Sequence, residues 1–192
     1  MGKKISIDSA TMINKVYEVI EAKNIFNIPY KKINILAHPK SYIHSIVQFS
    51  DGMTKIIAHD TTMKIPILNT LKLGSNNLFN ISSQGKFKDL NLKILNNLKL
   101  KKISSKRYPM INLLKLLPVR NSLYETVIVS ANDTLVNLFL NKKIKFVEIE
   151  KKLSKLIINK EFLKYKKKNP KNVKEILNLN NYVRLKIIKK SV

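Results

Sequence analysis

Cysteine is absent from the 192 residues. That excludes a disulfide framework, a zinc–thiolate site and a thiol nucleophile, and nothing in the sequence demands an oxidising compartment. Tryptophan is absent as well, and glycine occurs only at positions 2, 52, 74 and 85. A dinucleotide pyrophosphate needs a Gly-rich turn that opens onto a helix N-terminus. Four scattered glycines cannot build one. No apolar run approaches the roughly 18 residues of a membrane span, and the N-terminus lacks the apolar core of a signal peptide. Met1-Gly2-Lys-Lys-Ile-Ser6 fits a myristoylation pattern, but it reads equally as a loop leading into the first structured segment. A cytoplasmic location without membrane attachment is the expectation.

Acidic residues are scarce: 12 stand against 37 basic ones, for a formal charge of +25. Such a balance suggests a polyanion partner. However, only Arg107, Arg120 and Arg184 are arginines, and polyanion readers favour the bidentate guanidinium fork. Lys, Ile and Asn dominate the composition, and all three have A/T-rich codons. No zinc-finger spacing or aromatic-interleaved basic motif is present. No specific nucleic-acid partner is expected.

What is present divides along the chain. Residues 1–72 read as α/β: a strand at 4–7, a helix at 14–26 closed by Pro29, and strands at 33–37 and 41–49. Asp51-Gly52 signals a hairpin turn, with a returning strand at 53–58. Residues 73–106 read as a connector, rich in Asn and Ser, with a possible strand within 90–103. Residues 107–192 read as a small helical bundle, with helical segments near 110–117, 123–140, 147–158 and 173–188. The fold class expected is α+β.

The first segment carries the chemistry. Asn14, Lys15 and Glu18 are three and four residues apart, so they project from neighbouring strips of one helix. Ser9 lies in the hydroxyl-rich turn before it. An ammonium, an amide and a hydroxyl near a helix N-terminus suit a phosphate, and Glu18 adds a carboxylate one turn further in. An ordinary helix cap at Ser9 and a solvated Lys15 would account for the same residues.

These residues also resemble a known family. Lys4-Ile-Ser-Ile-Asp-Ser-Ala-Thr-Met-Ile-Asn-Lys15, Glu18-Val-Ile-Glu-Ala22 and Phe26 are similar to the conserved core of 1-deoxy-D-xylulose-5-phosphate reductoisomerase. The similarity continues in order through His38-Pro-Lys-Ser-Tyr-Ile-His-Ser45, Asp51-Gly52, Met63-Lys-Ile-Pro-Ile67, Arg107-Tyr-Pro109 and Ser130-Ala-Asn-Asp133. The resemblance implies that Ser9, Asn14, Lys15 and Glu18 bind a sugar phosphate. It implies that Glu18 also ligates Mg2+ or Mn2+, that His44 lies close to the reacting centre, and that Met1 and Gly2 contact NADPH. It further implies a homodimer.

The sequence departs from the family pattern in several places. Val16 stands where a glycine is usual and is expected to crowd a neighbouring helix. Asp60-Thr-Thr-Met63 replaces Thr-Pro-Asp-Met, Lys40 replaces a glutamine, and Asp133 replaces a glutamate. No Asp-Ser-Glu motif supplies the two further carboxylates of the metal site. Glu148-Ile-Glu150 is an acidic pair, but it sits in the helical tail. The expectation is therefore a C-terminal portion of the enzyme, inactive alone, with Met1 at an internal methionine of a longer or broken gene. A degenerate remnant, half of a split enzyme and a basic nucleic-acid-binding protein are the alternatives.

Overall fold

A computed structural model of the chain describes residues 2–72 and 91–191. Met1, and the part of the connector that holds Gly74 and Gly85, lie outside the described residues. The fold is α+β, and the described residues form two compact units, 1–34 with 104–192 and 35–103.

The first unit is helical. Helix α1 (Lys3–Ala10) and helix α2 (Ile13–Phe26) are joined at Met12, which adopts a left-handed conformation with φ 62°. The strand expected at 4–7 is thus part of a helix. The Ile5/Ile7 alternation is only two residues long. It is outweighed by the i,i+4 ion pair between Lys4 Nζ and Asp8 Oδ2 at 2.7 Å and by burial of Asp8. Helix α2 ends at Asn27 (φ 51°) rather than at Pro29, since asparagine tolerates the left-handed cap position.

A 3-10 segment, Pro109–Lys115, packs against α2. Helix α5 (Leu123–Leu140) is the axis of this unit and lies against α1, helix α6 (Phe146–Ile157) and helix α8 (Val173–Ser191). Ser122 caps α5: its Oγ accepts the Tyr124 N–H at 3.1 Å. Ile13, Val16, Val127, Ile128, Ile149 and Leu153 are fully enclosed. Val16 is accordingly a core residue, and the side chain that replaces a family glycine is accommodated as packing. Glu148 accepts the Lys145 backbone N–H at 2.8 Å, which makes it a helix-start carboxylate of α6.

The second unit is built on short strands. Strand β1 (Leu36–Ala37) pairs antiparallel with β4 (Lys101–Lys102), and β2 (Ile43–Gln48) pairs antiparallel with β3 (Thr54–Ala58). The expected strand at 33–37 is reduced to its last two residues, and residues 90–103 hold helix α4 (Leu92–Leu95) as well as β4. Asp51-Gly52 does form the hairpin turn: Gly52 has φ 90°, and Asp51 Oδ1 accepts the Met53 N–H at 2.9 Å. Helix α3 (Lys64–Lys72) follows the hairpin.

Candidate functional site

Helix α2 gathers three of the expected residues. Lys15 Nζ lies 2.7 Å from Glu18 Oε2 and 2.9 Å from Glu18 Oε1, and Asn14 Nδ2 donates to Glu18 Oε1 at 2.9 Å. An amide and an ammonium from the first turn of the helix therefore converge on the pair of anionic oxygens of Glu18, one turn further in. The cluster is open to solvent, so the ion pair contributes little to stability.

Ser9 is placed differently from the expectation. It lies in the last turn of α1, on the other side of Met12, and is not a cap of α2. Its hydroxyl makes no hydrogen bond among the described residues, while its carbonyl accepts the Met12 N–H at 3.1 Å. The left-handed Met12 is an uncommon conformation for a residue with a side chain and costs about 1 kcal/mol. It turns the chain between Ser9 and the start of α2.

A buried polar assembly lies behind this turn. Asp8 is 3% exposed. Its Oδ2 accepts from Lys4 Nζ, and its Oδ1 accepts from Asn132 Nδ2 of α5 at 2.8 Å. Lys4 Nζ also lies 3.0 Å from Asp133 Oδ1. Burial lowers the Lys4 pKa, but the carboxylates of Asp8 and Asp133 outweigh it and leave the ammonium raised. The Tyr17 hydroxyl is buried, and desolvation, reinforced by the charges of Asp133 and Asp8 and only partly offset by the neighbouring Asn132 side chain, pushes its pKa far up. The Asp8–Asn132 contact spans 124 positions of sequence. Asp8 and Asn132 both fall inside motifs noted above, but spacing alone gave no sign that they pair.

His44 belongs to the second unit. The β2–β3 register shifts between Ile43 and Ser45, so His44 sits on the bulge, a device that re-aims a side chain. Its ring stacks on His59 with centroids 3.6 Å apart and planes 5° apart. Its Nε2 is 3.1 Å from the His59 carbonyl, and His59 Nδ1 is 2.7 Å from the Asp60 carbonyl. Each of these nitrogens therefore carries the proton. His59 was not singled out from the sequence. The hairpin pairing of Ile43 with Ala58 was the signal that brings it to His44.

For a divalent cation, Glu18 offers one oxygen donor, in competition with Lys15. A hard cation takes about six oxygen ligands, and no group of three or more His, Cys, Asp or Glu among the described residues could hold one. Glu18 on its own therefore does not make a cation site among the described residues. Gly2 is exposed, and a Cβ there would meet nothing within 4 Å, so no close backbone approach dictates its identity. No helix among the described residues is long and apolar enough to cross a membrane.

An amide, an ammonium and a carboxylate on one helix, a bulged His-bearing hairpin and a terminal helical bundle define a mixed α+β class of chain. Comparison with known proteins identifies its family. Residues 60–186 match the family described as DXP reductoisomerase C-terminal domain, and residues 1–26 match the 1-deoxy-D-xylulose 5-phosphate reductoisomerase C-terminal domain. The chain belongs to the 1-deoxy-D-xylulose 5-phosphate reductoisomerase family.

The reductoisomerase of Pelagibacter ubique (strain HTCC1062) is 54% identical over 192 residues, covering 100% of this chain and 48% of that protein. The enzyme of Aquifex aeolicus (strain VF5) is 34% identical over 97% of this chain and 46% of its own length. Among solved structures, the Zymomonas mobilis enzyme in complex with NADPH superposes with a TM-score of 0.79 at 31% identity, over 98% of this chain and 47% of that one. A DOX-P reductoisomerase in complex with NADPH, fosmidomycin and magnesium gives a TM-score of 0.84 at 28% identity, over 100% and 46%. The chain spans about half the length of the curated relatives it matches.

Proposed function

We propose that this chain supplies the substrate-phosphate site and one metal ligand of a 1-deoxy-D-xylulose-5-phosphate reductoisomerase. The reaction is the NADPH-dependent rearrangement and reduction that yields 2-C-methyl-D-erythritol 4-phosphate, a step toward isoprenoid precursors. The observation that carries the proposal is the convergence of Asn14 and Lys15 on the Glu18 carboxylate at 2.7–2.9 Å. Two donors that hold a pair of carboxylate oxygens are already spaced for a phosphate. Arrival of the substrate phosphate takes Lys15 away from Glu18, and Ser9, with its unengaged hydroxyl, adds a third donor. Glu18 is then free to offer an oxygen to Mg2+ or Mn2+, which when bound polarises the substrate's oxygens.

The remaining roles follow from the resemblance. His44 serves the same reaction through an imidazole held by the β2 bulge. Met1 and Gly2 contact NADPH, and the rest of the cofactor site and the other metal ligands come from further polypeptide, so the chain alone is inactive. That the relatives are about twice as long supports this. A homodimer joined through the hairpin is part of the same reading, because Ile46, Val47, Phe49, Ile56 and Ile57 leave large apolar surface exposed on an open two-stranded ribbon. The cysteine-free composition suits a cytosolic enzyme.

The test is steady-state kinetics on the chain fused to, or co-expressed with, the N-terminal half of a relative. Glu18→Gln keeps shape and removes charge, and kcat is expected to fall about a hundredfold. Lys15→Ala is expected chiefly to raise KM, with some loss of kcat, because phosphate binding orients the reacting carbons. Near-full activity of Glu18→Gln would remove the metal-ligand assignment.

A further inference from the structure

A second concentration of positive charge lies in the helical unit, on other elements. The short helix α7 (Lys160–Leu163) runs into a 3-10 turn, Lys164–Lys167. The Lys168 carbonyl accepts the Leu123 N–H at 2.8 Å. That bond pins the lysine run to the start of α5, so its backbone is fixed. The run then faces Arg120 on one side and the approach to α8 on the other. Together they line an open concavity of about 640 Å3, with Arg120, Lys166, Lys167, Lys168, Lys171 and Glu175 among its lining residues.

Its electrostatics are one-sided. None of the five cations has an ion-pair partner among the described residues. The one carboxylate, Glu175, belongs to the same lining, where its Oε2 accepts the Lys171 backbone N–H at 2.9 Å and offsets part of the positive charge. Five like charges around one concavity repel one another, and an anion seated there would relieve that repulsion.

We propose that this cavity is an anion site for a soluble oligophosphate, a ligand with at least two adjacent phosphoryl groups. Its volume falls within the range of small-ligand pockets. Arg120 brings a planar fork suited to phosphate oxygens, and the lysines bring point charges. Single-stranded nucleic acid fits less well, since it needs open aromatic faces for base stacking. The rings here are covered: Lys166 Nζ stands 4.9 Å from the centroid of the enclosed Tyr124, and Lys168 Nζ stands 5.6 Å from that of Tyr165. The site goes beyond the reductoisomerase reading and uses none of its residues.

The experiment is calorimetric titration of the full chain with inorganic triphosphate at physiological salt. One saturable site is expected. Arg120→Gln/Lys171→Gln should weaken it at least about tenfold, the equivalent of one charge-assisted hydrogen bond. Lys31→Gln/Lys32→Gln removes the same charge from another surface and should change affinity less than about twofold. Equal losses in the two double variants would mean a diffuse effect of net charge and overturn the proposal. Two further arms guard the choice of ligand. Vesicles carrying phosphorylated inositol headgroups, or a single-stranded oligonucleotide, that bind through Arg120 and Lys171 and are not displaced by triphosphate would overturn the soluble-ligand assignment.

Discussion

The two compact units handle apolar surface in opposite ways. In the helical unit, α5 is surrounded, and side chains from α2, α6, α8 and the Pro109–Lys115 turn close a continuous core. In the hairpin unit, Tyr42 is the one large apolar side chain among the described residues that is buried, while Ile46, Val47, Met53, Ile56 and Ile57 face solvent. A two-stranded ribbon has too little surface to enclose its own side chains, whereas helices joined by short turns can. The helical unit therefore carries the stability. The hairpin unit leaves apolar surface exposed among the described residues. Asn14, Lys15 and Glu18, proposed above as site residues, ride on the helical unit, where Asp8 meets Asn132, and His44 rides on the hairpin unit.

The sharpest way to break this contrast is a pair of truncations. Leu153→Ala, at a fully enclosed position, should cost about 2–5 kcal/mol in chemical denaturation. Ile57→Ala, 54% exposed, should stay within about 0.5 kcal/mol in the monomer. The reverse order would refute the division of labour.

The link between core and site is probed next. Asp8→Ala leaves the enclosed Asn132 amide without its acceptor and should cost about 1–3 kcal/mol, read from the same denaturation curves. Lys4 keeps Asp133 nearby, which limits the loss. An effect below about 0.3 kcal/mol would show that the turn holding Ser9 is not braced by α5.

Removing the α5 cap is a smaller step. Ser122→Ala should cost about 1 kcal/mol, and Ser122→Thr should recover most of it because a hydroxyl can both accept the Tyr124 N–H and donate to the Glu125 carboxylate. Thermal unfolding of the two variants checks the expectation.

The smallest effect is alkaline. Burial pushes the Tyr124 phenol up to about 12 and Tyr30 to about 12, and Tyr17 higher still. Lys4 is raised as well, its carboxylate neighbours outweighing burial. A raised folded-state pKa contributes stability that is complete below the unfolded value, near 10 for tyrosine and 10.5 for lysine, and is lost as pH climbs through the folded value. Tm should therefore hold steady to about pH 9.5 and fall between about pH 10 and 12. Tyr17→Phe should flatten that fall, because it removes the buried phenol that ionisation would charge.

Much of the fold was legible in residue order. Helical periodicity located α2, α5, α6 and α8 to within a few residues, since each buries one long stripe. Asp51-Gly52 announced the hairpin because few sequences other than Asx-Gly reach the required turn. The helix spacing of Asn14, Lys15 and Glu18 was enough to cluster them, because i,i+3 and i,i+4 contacts are local. Residues 4–7 were misread for a related reason: two alternating isoleucines are too short a pattern to oppose a local ion pair and a buried aspartate.

What tertiary structure alone decided is everything that depends on distant chain segments. Nothing in the spacing of Asp8 and Asn132 declares that they meet, nor that Val16 would be enclosed where the family keeps a glycine. The bulge that stacks His44 on His59, and the wrapping of a lysine run with Arg120 around a cavity, are likewise absent from any local pattern. Local periodicity fixes which face of an element is apolar. Which partner covers that face, and which polar groups are carried inside with it, is settled only when the whole chain competes for the same enclosed space.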